Sequence, residues 1–192
     1  MDLQAYICEQ FIGKTIILVG NAPFSENRSR TIDSHDIVIR FNLFRSLSFE
    51  KGFCGRKMDC WVVNLDSGRK ANSDAKARRA MLLQYCQNMR SEYPHAMLMT
   101  PNAEDRLKRL QDALPFYANN GLALIHADQN LRVPLTKEPS VGFYMSYRLL
   151  QAGLPFSMIG FTGKVNEKHH CGEEEMGFWK NQSLITFYEM PD

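Results

Sequence analysis

Four short segments of this 192-residue chain carry side chains that can bind or move charge. The most reactive is Lys168–Glu175, KHHCGEEE, with the only adjacent histidines of the sequence, His169 and His170. Imidazole titrates near neutral pH and is the natural general base there. Glu174 and Glu175 follow His169 and His170 by five residues each. A carboxylate so placed can orient an imidazole and raise its basicity. Lys168 adds a cation beside the pair. Two other readings stay open, a metal site and a solvated polar loop. The metal is the weaker, because neighbouring histidines usually point two ways and ligands must converge.

The other three segments are suited to binding. Ile16–Asn21, IILVGN, is an apolar run ending in Gly20, with the Asn21 amide immediately after it. Ligands of open α/β sheets sit beyond the carboxyl ends of the strands. A glycine there allows close approach to the backbone, and an amide both donates and accepts. Many strands end this way only to turn, and no G-x-G-x-x-G dinucleotide fingerprint is present. Ile32–Asn42, IDSHDIVIRFN, places Arg40 inside an apolar strand, where it requires a carboxylate, a carbonyl or an anionic ligand. The plain expectation is an ion pair with Asp33 or Asp36. Asn42 would lie beside Asn21 if the two strands are neighbours. Glu138–Gly142, EPSVG, sets Ser140 as the N-cap of a helix that begins at Val141, with Gly142 near its start. Such a terminus suits a phosphate, and equally it is a plain capped helix.

These residues need a scaffold, and the hydrophobic pattern supplies one. Short apolar runs alternate with longer amphipathic stretches, as in βαβ units. Strands are expected at Lys14–Gly20, Asp36–Phe41, Asp59–Asn64 and His95–Thr100, with Phe156–Phe161 as the final core strand. Leu122–His126 fits strand or helix. Helices are expected at Ala71–Arg90, carried by Ala80, Leu83, Tyr85 and Met89, from Asn102 to Leu114, and from Val141 to Ala152 with Gly153 as cap. The tail from Glu173 reads as a last helix. The result is a Rossmann-like, mostly parallel sheet with helices on both faces, in one domain spanning residues 1–192.

Composition narrows the function classes. With 44% hydrophobic and 23% charged residues the chain is globular, and a formal net charge of +2 gives no reason to expect nucleic acid as a partner. No run reaches the roughly 18–20 apolar residues of a membrane span, and no signal peptide is evident. The five cysteines, an odd number, read as reduced thiols in a cytoplasmic protein. Cys54 and Cys60 are a marginal zinc pair without a second pair to complete the site.

Taken in order, the segments resemble a known family. Ile16–Asn21 with Ile32–Asn42 resembles the large sialyl motif: an apolar strand, Gly-Asn, then I-D-x-H-D-x-V-I-R-F-N. Pro139–Gly142 with Ile159–Phe161 resembles the small sialyl motif, Pro-Ser-x-Gly, a helix and a strand ending in Gly-Phe. The histidine with glutamate five positions on resembles the short terminal motif. The chain is thus similar to the sialyltransferase family, glycosyltransferase family 29, in a compact bacterial-like form. Neither motif here carries the cysteine that joins them in animal members, and the anchor, the stem and a separate histidine-tyrosine motif are not visible.

The resemblance implies a GT-A-like variant of the Rossmann fold, a CMP-activated acidic sugar as donor, an inverting displacement, and neither metal nor cofactor. Asn21 and Asn42 would contact CMP, with Gly20 and the Gly160–Phe161 strand end beside it. Ser140, Val141 and Gly142 would lie near the phosphate and ribose. His170, or else His169, would be the base, with Lys168 or the second histidine on the phosphate, and the Thr162–Gly172 loop a lid. The donor would be sialic acid or Kdo and the acceptor a glycan such as lipopolysaccharide, which if lipid-linked draws the enzyme to the inner face of a membrane. A different Rossmann-type enzyme, such as a methyltransferase, and a nucleotide-binding module without chemistry are the alternatives. The first lacks its glycine-rich loop at Ala22–Ser25.

Overall fold

Four consecutive apolar residues, Ile16 to Val19, are all buried, as in a strand covered on both faces and flanked on both edges. They form β1 (Ile16–Val19), near the centre of a seven-stranded sheet in the order β5-β4-β3-β2-β1-β6-β7. The others are β2 (Ile37–Phe41), β3 (Cys60–Val62), β4 (Met97–Thr100), β5 (Ile125–His126), β6 (Phe156–Ile159) and β7 (Ile185–Phe187). Every ladder is parallel. This is the Rossmann-like α/β arrangement expected from the alternation of patterns. The computed structural model describes residues 2–42, 44, 47–63, 73–94, 96–100, 115–121, 123, 125–126, 131–136, 139–162 and 172–188.

Two apolar layers sandwich the sheet. Ile17, Val19, Val38, Trp61 and Leu98 point to one face, where Ile32, Phe49, Met58, Cys86 and Met89 cover them. Ile16, Leu18, Ile39, Phe41 and Met158 point to the other, under Leu3, Ile7, Phe143, Met145, Leu149 and Trp179. The alternation along β1 and β2 is the period-two geometry of a strand, and burial of this kind is the main favourable term in folding.

Local signals account for three helix ends. The Leu3–Gln10 helix starts where the Asp2 carboxylate accepts the Gln4 and Ala5 amides, at 2.7 and 3.3 Å. The Val141–Gln151 helix starts at Ser140, whose hydroxyl accepts the Phe143 amide at 3.1 Å. It stops at Ala152, followed by Gly153 in the left-handed region at φ +67°. The long helix runs Ser73–Glu92, with Cys86 and Met89 buried and Ala80 exposed, so Ala80 is not on its inner stripe.

Several expectations need correction. Phe156–Ile159 is not the last strand: the Gly172–Lys180 helix is followed by β7, which pairs with β6 and forms the sheet edge. The run around Leu122–His126 is a strand at Ile125–His126. The helix expected from Asn102 to Leu114 lies outside the described residues. Arg40 makes no ion pair with Asp33 or Asp36. Its Nε donates to the Lys57 carbonyl at 2.9 Å and its Nη2 to the Cys54 carbonyl at 2.7 Å, while the guanidinium lies over the rings of Phe44 and Phe49. Asp33 instead accepts the amides of Arg56 and Lys57, and Asp36 accepts from Thr15. Burial lowers the Arg40 pKa from its ordinary value, and Cys54 and Asp33 act against that shift.

Cys54 and Cys60 belong to opposite apolar layers, so they do not form a pair for zinc. Burial pushes the Cys60 thiol far up. Among the described residues no group of three or more His, Cys, Asp or Glu side chains could hold a metal ion. No described helix is long and apolar enough to cross a membrane.

Candidate active site at the strand tips

The chain runs outward from β1 through β2, β3, β4 and β5, then returns to place β6 on the other side of β1. The reversal therefore falls between β1 and β6, and the crevice beyond the strand ends at such a point is where sheets of this type bind ligands. Gly20 follows β1 and Gly160 follows β6. The two come close enough that the ladder continues past both strands: the Gly20 amide donates to the Ile159 carbonyl at 2.8 Å, and the Ala22 amide to the Gly160 carbonyl at 3.1 Å. A Cβ on Gly20 would stand 2.1 Å from the Gly160 carbonyl oxygen. Gly20 is thus glycine because another strand needs the space, a packing reason that stands beside the close ligand approach expected from the sequence. Gly160 is left-handed, at φ +74°, with Gly20 and Phe24 against it.

On the other side of β1, Val19 lies opposite Arg40, and continuing the register by two residues brings Asn21 level with Asn42. Both asparagines are exposed. The Asn21 Nδ2 donates to the Phe41 carbonyl at 3.2 Å, which ties the tip of β1 to that of β2. Asn42 is the only non-glycine among the described residues with a positive φ, +46°. Asparagine tolerates this region better than most residues, yet it still carries strain of the kind that collects at functional sites. Two neighbours hold the turn: the Asn42 amide donates to the Val62 carbonyl at 2.8 Å, and the Trp61 Nε1 donates to the Asn42 carbonyl at 2.9 Å.

The helix starting at Val141 reaches the same end of the sheet through Phe161. That ring meets Phe41 edge-on at 5.8 Å between centroids and Trp179 at 5.4 Å. It also fills the space beside Gly142, where a Cβ would come within 2.8 Å of it. Gly142 is therefore required by Phe161, a packing reason the sequence did not disclose. The residues expected to act together, Gly20, Asn21, Asn42, Ser140, Val141, Gly142, Gly160 and Phe161, converge on one edge of the fold. Lys168, His169, His170 and most of the Thr162–Gly172 loop lie outside the described residues.

The glutamates after the histidines do something the sequence reading missed. Glu175, only 2% exposed, accepts the Ser140 amide at 2.5 Å and the Ser140 hydroxyl at 2.7 Å. Its neighbour Glu174 accepts the Thr136 amide at 2.9 Å and the Thr136 hydroxyl. The anion beside the Ser140 cap is thus the protein's own carboxylate, favourably placed at the positive end of the helix. The Ser140 hydroxyl is spent on Glu175 and Phe143. The glutamate spacing after the histidine pair was visible in the sequence. Its partner, 35 residues away, was not.

No protein-family model matches the chain, and no curated protein sequence matches it. Among solved structures, the sialyltransferase CST-II in complex with CMP aligns over 78% of this chain, with 13% identity and a TM-score of 0.29. The chain spans 60% of the length of that protein. So slight a likeness carries no argument, and the fold stands on its own sheet order and registers.

Proposed function

We propose that this chain is a glycosyltransferase that moves an acidic sugar, sialic acid or Kdo, from a CMP donor to a glycan hydroxyl. One observation supports this most. The two halves of the segment resembling the large sialyl motif are neighbouring parallel strands, and Asn21 and Asn42 end them at the same level beside the crevice. The small-motif segment meets them there through Phe161. In this reading Asn21 and Asn42 contact the cytidine nucleotide, and the Val141 and Gly142 amides face its phosphate. Ser140 supports them from behind, held by Glu175.

The chemistry follows from the donor. The anomeric carbon is tertiary and carries a carboxylate, so the transition state is oxocarbenium-like, with negative charge growing on the departing CMP phosphate. Fixed amide donors, with Lys168 or a protonated histidine, stabilise that charge without a metal. His170, or His169, removes the proton of the acceptor hydroxyl as it attacks from the opposite face, which inverts the centre. An acceptor carried on lipid brings the enzyme to the inner face of the membrane.

Release of CMP from CMP-sialic acid and CMP-Kdo, first without and then with a glycan acceptor, tests the proposal and names the sugar. Turnover should persist in EDTA, and His170→Ala should lower it about 10²–10⁴-fold. Tight CMP binding without turnover of either donor would make the chain a nucleotide-binding module. If His170→Ala and His169→Ala both remain fully active, the base is elsewhere.

A further inference from the structure

We infer that Trp61 is a positioning residue that presets Asn42 for the nucleotide. This rests on the proposed contact between Asn42 and CMP. Two consecutive carbonyls end β2, those of Phe41 and Asn42, and each is gripped by a side chain from a neighbouring strand. Asn21, beyond β1, donates to the first at 3.2 Å, and Trp61, in β3, donates to the second at 2.9 Å. Between these struts the Asn42 backbone sits at φ +46°. A left-handed asparagine at an exposed strand end is free to relax to φ < 0 unless something holds it. The indole is well placed for that. Trp61 is 3% exposed, packs edge-on against Tyr85 at 5.3 Å, and lies opposite Arg40 in the β2–β3 register. Its ring is fixed by the apolar layer, and its single polar atom is aimed at the site's edge.

A buried indole N–H must find an acceptor. Here the N–H finds its acceptor at the one strained non-glycine position among the described residues. The binding edge is thereby coupled to the interior, and Trp61 sets nucleotide affinity without touching the ligand.

The test is a double-mutant cycle read by CMP titration, with denaturant unfolding as control. Wild type, Trp61→Phe, Asn42→Ala and the double variant are compared. Trp61→Phe should weaken CMP about 3–10-fold, the scale of one lost hydrogen bond. In the Asn42→Ala background the same change should shift CMP affinity by less than about twofold, since the group it positions is gone. Equal weakening in both backgrounds, or wild-type affinity in Trp61→Phe, would overturn the inference. If Trp61→Phe does not fold, benzothienylalanine at position 61 replaces the N–H with sulfur at nearly unchanged shape, and the same cycle applies. Wild-type affinity in Asn42→Ala, or no CMP binding by wild type, would remove the Asn42 contact itself, and this inference falls with it. Loss of CMP binding in Asn42→Ala with none in Trp61→Phe would leave the proposed function standing alone.

Discussion

Two places at the carboxyl edge of the sheet read alike in the sequence and are built differently. Gly20–Asn21 with Asn42 and Ser140–Gly142 are both short polar stretches at the end of an element, and both suit an anion. At the strand tips the polar side chains remain at the surface, with Asn21 and Asn42 exposed. At the helix start the protein supplies its own anion, the buried Glu175 carboxylate on the Ser140 amide and hydroxyl. A serine-capped helix terminus is therefore not by itself an empty anion seat. At the helix start that carboxylate arrives from 35 residues along the chain.

The sharpest way to break the comparison is at the glycine. Gly20→Ala would force a methyl against the Gly160 carbonyl and should cost about 3 kcal/mol or more of stability, measured by urea unfolding. Wild-type stability in that variant would mean the two strand ends part easily. Next is Glu175→Ala, which removes two charge-assisted bonds from a buried site and should cost about 2–3 kcal/mol, with CMP affinity falling only as far as the helix start loosens. A large affinity loss at unchanged stability would reverse the assignment and make Glu175 a ligand group. Asn42→Gly should do the opposite. Glycine accepts a positive φ freely, so stability should hold or rise by up to about 1 kcal/mol while CMP binding weakens. The smallest effect is expected of Thr136→Ala, about 1 kcal/mol or less, because its bonds to Glu174 are exposed.

The thiols sharpen the same contrast from the interior. Burial pushes the Cys86 thiol up to about 12 and Cys60 higher still, so thiolate is scarce at either site near pH 8. Alkylation in the native state should reach the exposed Cys8 and spare both until denaturant is added, as peptide mapping would show.

The strands were legible where apolar residues run together. Ile16–Val19 and Ile37–Phe41 are buried throughout or nearly so, and no helical period competes. β7 was missed although Leu184–Tyr188 is a β-branched and aromatic run, because the whole tail from Glu173 reads as one helix when its acidic start is weighed first. The Leu3–Gln10 helix escaped notice for a different reason: eight residues with an Asp2 cap give a weak period, and packing of Leu3 and Ile7 on the sheet completes it. Arg40 shows the limit most clearly. Its type and burial announced that it needed a partner, but carbonyls at Cys54 and Lys57 leave no mark on a sequence, whereas aspartates nearby invite a wrong guess. The adjacency of Asn21 and Asn42 followed from strand order, and the Glu175–Ser140 bond depended on tertiary contact alone.

The Gly20–Gly160 approach has a mechanical consequence. Backbone bonds from Gly20 and Ala22 fasten β1 to β6 beyond the last paired residues, with no room for a methyl group between them. The two halves of the sheet are stitched at the rim of the crevice itself. Separating β1 from β6 at that rim would break both bonds, so the floor of the crevice resists widening.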